Sequence, residues 1–216
     1  MSKLRPRAIA AALAIVAGLP AIAYWIERGS LMSQRNRVAT HPAGPDGEKT
    51  WIPYRAAAIE RPAVATAEWA GLGDDEVVLG IEVGGRARAY RLDAMRERTR
   101  HVINDMVGGV PVSVTYCDIT DCVRSYAGAP GSGPPGMRLA GLLDGEMVVE
   151  LGGVEYLQRS GEPRHAGASP LPLDLLSHVR TTWKRWKAGH PDTEVYTGEP
   201  PVPAAGRPSP AGARPD

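Results

Sequence analysis

The chain has no phenylalanine and only two cysteines, and neither sign of charge dominates it: 25 basic residues against 24 acidic leave a formal charge of +1. Each shortage excludes something. Without Phe, the aromatic part of a core falls to five Trp and seven Tyr. Two cysteines cannot build a multi-bridge scaffold, nor a four-thiolate zinc site on their own. Balanced charge lacks the basic surplus or stripe of a nucleic-acid surface, so no nucleic-acid partner is expected. Signature motifs are also missing. The sequence has no His-Glu-x-x-His, no Cys-x-x-Cys-His, no phosphate loop and no dinucleotide fingerprint. Gly131-Ser132-Gly133 lies in a Pro-rich loop, without the strand–turn–helix context of a nucleophile elbow.

What is present favours strands and turns. The 216 residues include 25 Gly and 20 Pro, and 43% are hydrophobic, enough to bury a core in one domain. Lys3, Arg5 and Arg7 precede an uncharged run from Ala8 to Ile26. At ~1.5 Å per residue that run nearly spans a hydrocarbon core of ~30 Å. Residues 1–27 therefore read as a membrane anchor, with the membrane contacted through residues 8–26, or as a signal peptide cleaved after Ala21-Ile22-Ala23. In both cases the basic flank directs the remainder outward, to the periplasmic or extracellular side. Residues 28–47 read as a linker, 48–198 as one globular domain, and 199–216 as a disordered Pro/Ala-rich tail.

Within the domain, hairpin signals recur. Glu76 to Val83 and Arg86 to Tyr90 flank Gly84-Gly85; His101 to Val107 and Val110 to Tyr116 flank Gly108-Gly109. Met137 to Leu143 and Glu146 to Leu151 flank Asp144-Gly145, and Gly152-Gly153 turns into Val154 to Gln158. Asp93 is expected to cap a short helix to Arg98, and Thr66 to Trp69 to form a helical turn. Thr181 to Ala188 is expected to be a helix, capped by Thr181 or Thr182, that lays Trp183 and Trp186 on the sheet and stops at Gly189 and Pro191. The fold class expected is α+β: mainly an antiparallel β meander or barrel-like sheet with a few short helices, behind an N-terminal transmembrane or signal helix.

The densest chemistry lies between His101 and Tyr126. If Val110 to Tyr116 and Val123 to Tyr126 pair, Asp118 to Asp121 form the loop, and Cys117 faces Cys122 across its base. Opposed Cα atoms are then about 4.5–5.5 Å apart, within disulfide range. Closing so short a ring constrains the unfolded chain by only about 2 kcal/mol, and an oxidising exterior permits it. Pairing about Gly108-Gly109 sets residues whose numbers sum to 217 opposite each other, so His101 faces Tyr116, next to Cys117. A metal reading follows, with Cys117, Cys122 and His101 as zinc or copper ligands and Asp118 and Asp121 as further ligands or their partners. So does a redox reading, with Cys117 as a thiolate activated by His101 and Cys122 as its resolving partner. His101 also reads as a solvated strand-end residue. Asn104 and Asp105 read either as loop-bonding residues before the turn or as a polar site near His101.

Several stretches together resemble one family. They are Val78 to Tyr90, His101 with Asn104-Asp105, Val107 to Val112, Val114-Thr115-Tyr116-Cys117, and the late Thr181-Thr182-Trp183 followed by His190-Pro191-Asp192-Thr193. They occur in the order seen in the bacterial domain-of-unknown-function family 3179, across residues 48 to 198. The resemblance brings no established reaction. The family's common form spaces its cysteines by two residues, whereas this chain has the four-residue gap of a variant branch. The functional expectation is a membrane-tethered cell-envelope domain acting as a binding or interaction module. The alternative is a metal- or thiol-dependent extracytoplasmic enzyme using Cys117, Cys122 and His101.

Overall fold

The computed structural model describes residues 49–198. The expected anchor or signal peptide at 1–27, the linker at 28–47 and the tail at 199–216 lie outside the described residues. Among the described residues, no helix is long and apolar enough to cross a membrane.

The described chain forms β1 (Trp51–Ala56), β2 (Ile59–Glu60), β3 (Ala65–Thr66), β4 (Val77–Val83), β5 (Arg86–Arg91), β6 (Val102–Val107), β7 (Val110–Cys117) and β8 (Cys122–Ala127). There follow β9 (Arg138–Leu143), β10 (Glu146–Leu151), β11 (Val154–Leu157), β12 (Asp174–Leu176), β13 (His178–Thr182), α1 (Trp183–Gly189) and β14 (Glu194–Tyr196). The hairpins fall where the glycine pairs and Asp144-Gly145 placed them. Those turns demand left-handed backbone, which Gly84, Gly85, Gly108 and Gly109 supply at φ of 58, 71, 58 and 78°.

The strands do not form one meander or a barrel. They form three sheets, ordered β1-β9-β10-β11, β12-β8-β7-β6-β2 and β13-β4-β5-β14-β3. Two pairings are parallel, β2 with β6 and β14 with β5. These come from distant short strands that fill the flanks of the hairpins, a non-local contact that no turn signal announces.

The middle sheet is buried on both faces, and this orders the molecule. On one face Ile103, Val107, Val112, Val114 and Tyr116 pack against Leu79, Ile81, Tyr90, Leu92 and Met95. On the other, Val102, Cys117 and Tyr126 pack against Met137, Leu139, Met147, Val149 and Tyr156. The face carrying Ser113 and Thr115 is therefore as deeply buried as the valine face. Each fully buried aliphatic side chain contributes roughly 1.5–3 kcal/mol. On the far side of the third sheet, Trp183 and Trp186 of α1 cover Val78, Ala89 and Val195, as the i, i+3 spacing expected. Gly80 makes this possible, because a Cβ there would fall within the Trp186 ring. Thr182 caps α1, its Oγ1 accepting from the Arg185 N–H at 3.4 Å.

Local corrections are few. Residues 93–100 form two 3₁₀ turns, Asp93–Arg96 and Arg98–Arg100, with Leu92 at the first cap position and no side-chain cap from Asp93. Met95 and Leu92 are drawn into the core here, so packing sets the turn. Ala65–Thr66 is a strand because it pairs with β14, and only the residues after it turn.

Candidate functional site

The middle sheet brings the two thiols together. Along β7 and β8 the register runs unbroken from Val112↔Ala127 to Cys117↔Cys122. The Gly128 N–H donates to Pro111 O at 2.8 Å in the same register, which fixes the alternation of the ladder. Counting six residues on, Cys117 and Cys122 are one of the hydrogen-bonded pairs. Such pairs have Cα atoms about 5.5 Å apart, inside the range a disulfide spans. They close the four-residue loop from Asp118 to Asp121, whose last residue takes φ of 48°. Both cysteines are free thiols, Cys117 buried and Cys122 half-buried.

The turn after β11 folds back over the Cys122 strand. Gln158, fully buried, donates from Nε2 to Cys122 O at 3.1 Å and to Thr115 Oγ1 at 3.0 Å. Tyr126 OH donates to Gln158 O, and Arg124 Nε donates to Arg159 O at 3.0 Å. Arg124 shares a face with Cys122 by strand alternation. Burial pushes the Cys122 thiol up, against the downward pull of the Arg124 and Arg159 guanidinium groups; Cys117 and Glu146 add to the rise. Burial likewise pushes the Tyr126 hydroxyl up, to about 12.

His101 belongs to the opposite face. Its main-chain carbonyl accepts from the Tyr116 N–H, as the turn-based register expected. Its ring, however, stands edge-on to Tyr116, the neighbour of Cys117 that points the other way. His101 is 6% exposed, so it is a core residue and not a solvated strand end. Its Nδ1 meets Met95 O at 2.8 Å and its Nε2 meets Asp118 Oδ1 at 3.1 Å. A carbonyl can only accept, so Nδ1 carries the proton. Asp121 is held on this side too, by Tyr116 OH at 3.0 Å and by Arg180 Nη1 at 2.6 Å. Burial and the Asp121 carboxylate push the Tyr116 hydroxyl to about 12.

This arrangement corrects the metal and activation readings. The sheet stands between the His101 ring and the thiols, and both ring nitrogens are already engaged. Among the described residues, no group of three or more His, Cys, Asp or Glu is placed to hold a metal ion. Cys117, Cys122, His101, Asp118 and Asp121 thus divide into a dithiol on one face and a His–Asp–Tyr–Arg cluster on the other. Nor can His101 activate Cys117; the more accessible thiol is Cys122.

Asn104 and Asp105 are likewise split, being neighbours on one strand. Asn104 donates to Glu60 Oε1 at 2.6 Å and to Met137 O at 2.8 Å, and accepts from Ser113 Oγ. Asp105 accepts from Arg88 Nη1 at 2.8 Å and from Tyr90 OH at 2.9 Å. Both are buried residues that satisfy their neighbours, not loop residues before a turn. Sequence reasoning passed over Arg124, Gln158 and Arg159. Alternation along Cys122-Val123-Arg124 places Arg124 beside Cys122, but nothing local says that Gln158 folds across β8.

Fold and site together define a three-sheet, mainly β domain with a dithiol at the base of a central hairpin. The family described as "Protein of unknown function (DUF3179)" matches residues 53–203. The chain belongs to that family. No curated protein and no solved structure matches it.

Proposed function

We propose that this chain is a cell-envelope domain, held outside the cytoplasmic membrane by an uncleaved N-terminal segment, whose working part is the Cys117/Cys122 pair cycling between dithiol and disulfide. The observation that carries this is the direct opposition of two thiols, one buried and one half-buried. The register already sets the two cysteines opposite each other, and the half-buried sulfur gives a partner somewhere to attack. The chemistry is thiol–disulfide exchange with a disulfide-bearing partner. The Cys122 thiolate attacks one sulfur of the partner disulfide and expels the other as a thiolate. Cys117, having lost its proton, then attacks the Cys122 sulfur and expels the second partner thiolate. The pair gives up two electrons and two protons, and the partner is reduced to two thiols.

The test is equilibration of the full-length protein in buffers of graded reduced to oxidised dithiothreitol, followed by alkylation and intact-mass analysis. One reversible two-electron transition is expected, lost in Cys117→Ser and in Cys122→Ser. A pair that never bridges, or a bridge that no reductant opens in the folded protein, overturns the exchange reading. The latter leaves a structural disulfide in a binding module. For the anchor, the N-terminal peptide of the membrane fraction should begin at Met1; a start at Tyr24 makes the domain a secreted one.

A further inference from the structure

We infer that Arg124 and Arg159 form an anion-recognition subsite beside Cys122 that selects disulfide partners carrying carboxylates; this rests on the exchange reading above.

Arg61, Arg86 and Arg98 have no carboxylate partner among the described residues, but they are exposed, whereas Arg124 and Arg159 lack one while half-buried. Arg55, Arg88, Arg91, Arg138, Arg164 and Arg180 all form ion pairs. Among the described residues, Arg124 and Arg159 form none. Arg124 is instead steered by two main-chain carbonyls, Arg159 O through Nε at 3.0 Å and Val123 O through Nη1 at 2.9 Å. That holds its charge near the face bearing Cys122 without neutralising it. Arg159 has a buried Nε with no hydrogen-bond partner. The nearby carboxylate, Glu146, accepts at 3.2 Å from the Arg159 main-chain N–H. It offsets part of the local charge and leaves a positive balance.

Gln158 is fully buried, and while its Nε2 bonds Thr115 and Cys122, its Oε1 has no donor. A buried, unpaired acceptor costs about 1–3 kcal/mol. Two donor-rich cations beside a half-buried sulfur suit a partner that offers carboxylates near its own sulfur. That is the chemistry of a small acidic peptide disulfide. Charge of one sign at a reactive thiol acts chiefly on encounter, raising the rate for opposite charge and losing force in salt.

The experiment follows oxidation of the reduced full-length protein by oxidised glutathione, which is anionic, and by cystamine, which is dicationic. Each rate is normalised to that of a free thiol with the same oxidant. Glutathione should be preferred by about tenfold at low salt, with the preference shrinking as salt is added. Arg124→Gln with Arg159→Gln should abolish the preference, and Arg124→Lys with Arg159→Lys should retain most of it. Retention in the lysine variant separates a charge effect from damage to the fold. Equal normalised rates in the native protein, or a preference that survives the glutamine changes, overturns this inference and leaves the exchange reading standing. No reaction with either oxidant sinks both.

Discussion

His101 faces Tyr116 across one pair of strands, and Cys117 is the next residue along, yet the imidazole and the thiol lie on opposite faces of the same sheet. Sequence proximity and chemical proximity part company here because strand side chains alternate. Replacing His101 should therefore leave the thiol chemistry alone. His101→Ala is expected to keep the Cys122 alkylation rate unchanged. It should lower unfolding stability by about 1–3 kcal/mol, through loss of the bonds to Met95 O and Asp118. Parallel alkylation kinetics and urea unfolding check this. A large fall in thiol reactivity with the fold intact would mean that the ring does reach the sulfur.

The Cys122 thiol should ionise above the range of an unburied cysteine, because burial outweighs the pull of Arg124 and Arg159. Cys117 and Glu146 press in the same direction as burial. Thiolate content at neutral pH is accordingly low, and alkylation of Cys122 should climb with pH past the point where a free thiol levels off. Arg124→Gln should move that rise further up. Rates of iodoacetamide labelling across alkaline pH, in a Cys117→Ser background, measure both.

Much of this was legible from the chain. Gly84-Gly85, Gly108-Gly109 and Asp144-Gly145 announced their hairpins, since left-handed turns need those residues and few others. The sum of 217 set the β6–β7 register correctly, and the four-residue gap set Cys117 against Cys122. What failed to show was the packing of sheet on sheet. Strands β2, β3, β12 and β14 are two or three residues long, too short for any alternation to declare itself, and each is held by a distant partner. The double burial of β7 was hidden because Ser113 and Thr115 look like a solvent face until Asn104 and Gln158 are seen to bond them and Met137, Met147 and Tyr156 to pack on that face. Face assignment, not register, decided the fate of the metal reading.

The turns that were easiest to read also make a close backbone contact. A Cβ on Gly84 would lie within the Gly108 main chain, and one on Gly108 within that of Gly84, whereas Gly85 and Gly109 look into open space. All four have positive φ, so an alanine at any of them carries about 1–2 kcal/mol of conformational strain. At Gly84 or Gly108 overpacking adds about 1–3 kcal/mol more, because a neighbouring backbone cannot step aside as a side chain can. Gly85→Asn should be nearly neutral and Gly84→Asn severely destabilising. Urea midpoints of the four single variants order them.

Asp105 provides the sharpest pH test. Arg88 and Asp105 form a buried ion pair at 2.8 Å, with Tyr90 OH on the same carboxylate oxygen and Glu194 on the other arm of Arg88. Burial pushes the Asp105 carboxyl above its ordinary value, and the Arg88 charge, the Met106 N–H and the Tyr90 hydroxyl recover only part of that. A raised carboxyl favours the fold while it is protonated, so its contribution is full below the unfolded value and declines as pH rises through the folded one. Removing Arg88 strips away the largest force holding the value down, and the decline should extend further up the pH scale. Arg88→Met is thus expected to cost about 3–5 kcal/mol at neutral pH, where a bare carboxylate is left buried. It should cost distinctly less near pH 4, where protonation relieves that carboxylate. Arg88→Met with Asp105→Asn removes both charges and should recover much of the loss and flatten its pH dependence. Unfolding free energies of the native protein and both variants across acid to neutral pH decide it. A loss in Arg88→Met that does not change with pH would show that the arginine contributes packing alone.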